Sequence, residues 1–139
     1  MEKKSVTEIL QTNGKYVTTV RGTSMKPLLR QDRDVVVVVP PSFPLRRFDV
    51  PLYVRRDGTH VLHRVVGKDE RGYILCGDNQ LWLERGVTDD MVQGVLAGFF
   101  RGEKYIKVTD LRYRIYVFFW CRFPLFRKIC LRLRDRLRK

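Results

Sequence analysis

The segment from Arg21 to Val39, RGTSMKPLLRQDRDVVVVV, sets a serine between a Gly-Thr pair and a Met-Lys-Pro sequence, shortly before five consecutive valines. A serine hydroxyl is a weak nucleophile until a base takes its proton and nearby donors stabilise the oxyanion that forms. Ser24 follows a β-rich stretch and stands at a turn, where its side chain can project into a cleft. Gly22 has no Cβ to keep the backbone away from a substrate carbonyl. Pro27 constrains the chain just beyond the serine. On this tetrapeptide alone, a plain turn serine is the better explanation of Ser24, so the surrounding elements must decide.

Those elements are mostly β. Ser5-Val6-Thr7-Glu8 has the form of a capping box, which predicts a short helix ending at Asn13-Gly14. KYVTTVR is rich in β-formers, and Val35–Val39 is an unbroken β-branched run suited to a covered strand. Pro40, Pro41 and Pro44 then enforce an extended loop. DVPLYVRRDGTHVLHRVV holds two β-rich runs around Asp57-Gly58, a hairpin signal. GYILCGDN reads as a strand ending in a turn, and MVQGVLAGFF and KYIKV as closing strands. Residues 15–108 are thus expected to form a mostly antiparallel β domain of about seven strands.

Three blocks in this frame resemble the motifs of the signal peptidase I and LexA-like serine peptidases. GTSMKPLLRQDRDVVVV is similar to their nucleophile box, Gly-x-Ser-Met-x-Pro followed by a leucine and an acid opening an apolar strand. VLHRVV, with His63 39 residues after Ser24, is similar to the base-bearing strand in the branch that uses histidine. CGDN is similar to the Gly-Asp-Asn box that follows. The resemblance covers residues 17–108 and implies a compact, partly open antiparallel barrel or sandwich. It implies a serine endopeptidase in which Ser24 attacks and His63 is the general base, with no cofactor and no metal. An imidazole near its reference pKa of ~6.5 suits that role at neutral pH. No lysine lies between Gly58 and Val66 to serve instead, and His60, three residues earlier, is expected to face the other side of the strand.

A histidine base needs an acceptor for its second nitrogen. Asp78 of the Gly-Asp-Asn box and Glu84 of LERG are the two candidates. Aligning LERG with the family's acidic segment favours Glu84, leaving Asp78 to hold the turn. Surface pairing with Arg85 and turn capping are the structural alternatives for Glu84 and Asp78. The resemblance assigns Gly22, Thr23, Met25 and Pro27 to oxyanion and substrate binding. Donors to the oxyanion are expected from backbone only, chiefly the Ser24 N–H. The expected partner is an extended peptide or precursor protein, added as a strand along the cleft. A non-catalytic peptide- or membrane-binding module on the same fold is the alternative reading.

Charge sets residues 111–139 apart. They carry 10 Lys+Arg against one acid, whereas residues 1–110 carry 18 against 14. In PLFRKICLRLRDRLRK, Phe126, Ile129, Cys130, Leu133 and Leu137 recur at helical spacing after Pro124, with arginines between them. Such a tail suits a helix lying on an anionic membrane surface. It equally suits a helix packed on the β domain with a solvated arginine face. The division expected is therefore a 1–110 peptidase domain and a 111–139 basic amphipathic tail. Nucleic-acid binding is disfavoured, since no reader motif accompanies the charge.

The longest apolar run, Ile115–Cys121, is seven residues, far short of the ~20 needed to span a bilayer as a helix. MEKKSVTEIL lacks the apolar core of a signal peptide. A cytoplasmic protein, or one peripheral to the cytoplasmic membrane, is expected. The three cysteines, Cys76, Cys121 and Cys130, show no metal-binding spacing and require no oxidising compartment.

Overall fold

The computed structural model describes residues 5–138. The protein is mostly β, with 35% strand against 26% helix. Helix α1 (Val6–Asn13) starts at Ser5, whose side chain accepts from the Glu8 N–H while Glu8 reaches back to the Ser5 N–H. Gly14, at φ 72°, closes it in the left-handed conformation that a glycine adopts without strain.

Nine strands follow: β1 (Tyr16–Thr19), β2 (Asp34–Val39), β3 (Pro51–Val54), β4 (His60–Leu62), β5 (Arg64–Asp69), β6 (Gly72–Cys76), β7 (Glu84–Val87), β8 (Val92–Arg101) and β9 (Lys104–Lys107). They form two antiparallel sheets. The larger is a curled half-barrel in the order β1-β2-β8-β3-β4, with β9 also pairing β8. The smaller runs β5-β6-β7. The ten-residue β8 is the spine. It pairs with β2 along Val95–Arg101, and shares its other edge between β3 and β9. The valine run lies between β1 and β8, which is why Val36, Val37 and Val38 are all buried.

The strand count exceeds the expected seven at two places. The second hairpin run does not continue as one strand: it stops at Leu62 and resumes at Arg64, where the chain leaves the large sheet for the small one. Nothing in the apolar pattern of VLHRVV marks that break. The short β7, Glu-Arg-Gly-Val, lacks the period-2 alternation that identifies a half-buried strand.

Two apolar clusters fill the sheets. One gathers Met25, Leu29, Val36, Val50, Leu96 and Phe99 between the serine loop and the large sheet. The other gathers Tyr53, Val61, Val65, Tyr73, Leu75 and Val87 where the two sheets meet. Each fully buried side chain of this kind contributes roughly 1.5–3 kcal/mol. Asp34, which opens β2, is buried as well. Burial alone would raise its pKa, but Arg33, the Arg30 N–H and Arg101 bind the carboxylate and hold it below the ordinary value.

The C-terminal segment is helical from α2 (Leu111–Tyr116), through a π-helical turn (Val117–Cys121), to α3 (Pro124–Leu137), with Pro124 in the first turn of α3. Tyr113 of α2 is buried in the first cluster. α3 packs on the β domain, as one of the two expectations had it, but with arginine in the contact: Arg127 bonds Cys76 and Arg134 bonds Asn79. Among the described residues of α3, Arg127 and Leu131 are buried, whereas Phe126, Ile129, Leu133 and Leu137 are exposed. Arginine anchors the helix, and the apolar stripe faces outward.

Candidate active site

Ser24 sits in a compact turn between β1 and β2, within residues 22–29. Gly22 enters it at φ 77°, with open space where a Cβ would stand, so backbone angle is what requires glycine there. Its N–H donates to Gln31 Oε1 at 3.0 Å. The Lys26 N–H closes on the Thr23 carbonyl at 3.2 Å, and the Leu29 N–H on that of Met25 at 2.9 Å. The Lys26–Pro27 peptide is cis. Met25 points into the core, while Thr23 and Pro27 are exposed.

The Gly77-Asp78-Asn79 segment, just beyond β6, is clamped onto this turn. The Asn79 side-chain amide donates to the Thr23 carbonyl at 3.0 Å, and the Asn79 N–H to the Ser24 carbonyl at 2.9 Å. The Thr23–Ser24 peptide unit is planar and trans, so fixing the Thr23 carbonyl also fixes the opposite-pointing Ser24 N–H. The one donor expected for an oxyanion is thereby pre-oriented by Asn79. Gly77 permits the approach: a Cβ there would lie 2.5 Å from the Ser24 carbonyl oxygen. The Asp78 N–H points at Met25 Sδ, 3.5 Å away.

Asp78 itself is fully buried and turned away from the serine. Its carboxylate takes two hydrogen bonds from Arg64, at 2.8 and 2.9 Å, and a third from the Tyr116 hydroxyl at 2.7 Å. The Trp120 indole N–H donates to its backbone carbonyl at 2.8 Å. Arg64 completes its own set with the Phe48 carbonyl and the Tyr113 hydroxyl. Asp78 thus ties the box to β5 and to the C-terminal helices. It makes no hydrogen bond to His63.

His63 occupies the link between β4 and β5 and is 5% exposed. Its ring meets Tyr53 edge-on, with centroids 6.4 Å apart. Burial lowers its pKa from the ordinary 6.5, against the opposing pull of the Glu84 and Asp78 carboxylates. Nδ1 has no hydrogen-bond partner among the described residues. Glu84, at the start of β7, is bound instead by Arg55, at 2.5 Å from Nη2 and 3.0 Å from Nε. Burial would raise the Glu84 pKa, but Arg55 and the Tyr53 hydroxyl outweigh it and hold the carboxylate ionised. Tyr53 is pushed well up in turn, by burial first and the Glu84 charge second.

Ser24 and His63 line the same cleft, of about 690 Å³. Val36, Val38 and Leu52 of the large sheet form part of its apolar wall, and Arg55 and Gln80 are among its polar residues. Met25 lines it too, whereas Gly22, Thr23, Pro27, Asp78 and Glu84 do not. His60 lies on this cleft beside His63, not on an opposite face, because strand alternation ends at Leu62. Among the described residues no lysine lines it, and Lys68 lies on β5 over the Tyr73 ring. The cleft thus brings a serine and a histidine together with apolar residues of β2 and β3. Among the described residues no three His, Cys, Asp or Glu side chains converge as a metal site requires.

Sequence reasoning did not single out Arg55, Tyr53, Asn79 or Arg134. Arg55 pairs with a residue 29 positions away, and the Arg134 guanidinium with Asn79 across 55. Such contacts leave no periodic trace. The side chain of Asn79, inside a motif already noted, was the one available signal. In comparisons with known protein families, curated proteins and solved structures, nothing matches this chain.

Proposed function

We propose that the protein is a serine endopeptidase of the signal-peptidase-like group, with Ser24 as nucleophile and His63 as general base. The observation that carries this reading is the shared cleft. Two residues 39 positions apart, each singled out by residue type and motif, line one cavity in a mostly β protein. Ser24 attacks the scissile carbonyl and passes its proton to the imidazole, which returns it to the leaving amine. The resulting acyl-serine is released by water activated by the same imidazole. The Ser24 N–H, oriented through Asn79, stabilises the oxyanion. Glu84 acts as the acidic neighbour of the pair through its charge, and Asp78 holds the box that carries Asn79.

The lowered pKa of His63 supports a base that is neutral at physiological pH. The peptide is added along the cleft wall by backbone pairing, with small side chains near the cut. Digestion of a diverse peptide library, read by mass spectrometry, tests this reading. Cuts by the wild type that disappear with both Ser24→Ala and His63→Ala are expected. Cuts that persist in Ser24→Ala would sink it. An uncut library whose peptides nonetheless bind in the cleft would favour a peptide-binding module on the same fold.

A further inference from the structure

The outer surface of the C-terminal helices is apolar and cationic together, and peptide cleavage makes no use of it. Along α3, Phe126, Ile129, Leu133 and Leu137 recur at steps of three and four, and are 53, 50, 52 and 88% exposed. The π-helical turn extends this surface. The Phe118 ring packs edge-on against those of Phe119 and Phe123, at 5.2 and 5.3 Å, and all three are exposed. Contiguous apolar surface of this kind marks an interaction site on a folded protein.

Cations border it on two sides. Lys128, Arg132 and Arg136 are exposed at four-residue steps beside the α3 stripe. Near the turn, Arg47, Arg114 and Arg122 line a cavity of about 340 Å³, with Asp49 the one carboxylate in its wall among the described residues. Among the described residues none of these three arginines pairs with a carboxylate. Phe118 lines that cavity and also belongs to the apolar surface, so the two are continuous.

We propose that this surface seats the protein on an anionic phospholipid bilayer. The α3 stripe lies in the interface, and the Arg47, Arg114 and Arg122 cavity receives a headgroup phosphate. Charge decides the occupant. A second copy of the chain would bring another ten Lys+Arg and one acid against the same number here, so like charges would meet. Anionic lipid neutralises them while covering the leucines and phenylalanines. An amphipathic helix with bordering cations gives interfacial, reversible attachment; among the described residues no helix is long and apolar enough to cross a membrane.

The proposal stands independently of the peptidase reading, and its test does not use cleavage. The full chain is sedimented with vesicles of phosphatidylcholine containing phosphatidylserine, and with phosphatidylcholine alone, at ~0.1 M salt. Sedimentation with the anionic vesicles only is expected. Ile129→Asp with Leu133→Asp should weaken it at least about tenfold. Arg114→Gln with Arg122→Gln, which leaves the stripe intact, should weaken it several-fold and flatten its salt dependence. Circular dichroism melts of both variants should match the wild type, because every substituted side chain is exposed or at the cavity wall.

A chain that stays in the supernatant with anionic vesicles would overturn the proposal. So would binding indifferent to both substitution pairs. A dimer seen by sedimentation velocity and dissolved by Ile129→Asp with Leu133→Asp, without vesicle binding, would assign the surface to a second copy and also overturn it.

Discussion

His63 is withdrawn from water with its ring edge against Tyr53, and that burial lowers its pKa from 6.5. The consequence for catalysis has a definite sign. A base that must be neutral keeps working as pH falls past 6.5, so the acid limb of kcat/KM is predicted to have its midpoint below 6.5. A pH profile of cleavage checks this, and a midpoint above 6.5 would contradict it. Stability follows the same shift. The unfolded chain takes up the proton at about 6.5 and the folded chain only at lower pH, so the folded state binds fewer protons in between. Stability is full above 6.5 and is lost as pH falls through the interval down to the folded pKa. Ser24 and His63, which the resemblance of their motif blocks paired, line one cleft in the structure. The company His63 keeps was legible only in part: the Asp57-Gly58 hairpin that carries Tyr53 was readable, whereas the Arg55-held Glu84 comes from β7, a strand the apolar pattern does not mark.

At the scale of elements, the serine turn owes its geometry to a neighbour as well as to its own sequence. Asn79 bonds the carbonyls on both sides of Ser24, Gly77 admits the close approach, and the Arg134 guanidinium of α3 bonds the Asn79 side chain from behind. Gly77→Ala would put a methyl group 2.5 Å from the Ser24 carbonyl, against backbone that cannot yield cheaply. A displacement of ~1 Å in a catalytic group costs on the order of 100-fold in rate. Gly77→Ala is therefore predicted to lower kcat about that much in steady-state kinetics, with the near-ultraviolet spectrum of the fold retained. Unchanged kcat would show that the box does not position the serine. The capping box of α1, the Asp57-Gly58 hairpin and the long β8 were all visible beforehand, since local turn chemistry and apolar pattern determine them. The split at His63 and the strand β7 were not, because a change of sheet is a long-range event without a local signature.

For the whole molecule, the Arg64–Asp78 pair is where the small sheet, the Gly-Asp-Asn box and the C-terminal helices meet, both side chains being fully buried. Removing one partner of such a pair leaves an uncompensated buried charge and costs roughly 3–5 kcal/mol. Asp78→Asn should accordingly lower the thermal midpoint by well over 5 °C, on a scale of roughly 2–8 °C per kcal/mol for domains of this size. A midpoint within a degree of the wild type would place the junction's stability elsewhere. Composition separated the basic tail from the β domain, but it could not indicate that α3 would turn Arg127 inward and leave Phe126, Ile129, Leu133 and Leu137 exposed. Tyr113, Tyr116 and Trp120 bind across the whole chain to Arg64 and Asp78, and those pairings appear only once the fold is built. The central claim, that Ser24 and His63 act as one unit, is tested most directly by the cleavage rate of Ser24→Ala, His63→Ala and the double variant on one peptide. Each single substitution is predicted to cost on the order of 10³-fold or more in kcat, and the double variant no more than the worse single one. A His63→Ala enzyme within about tenfold of the wild type, or losses that multiply in the double variant, would contradict the account.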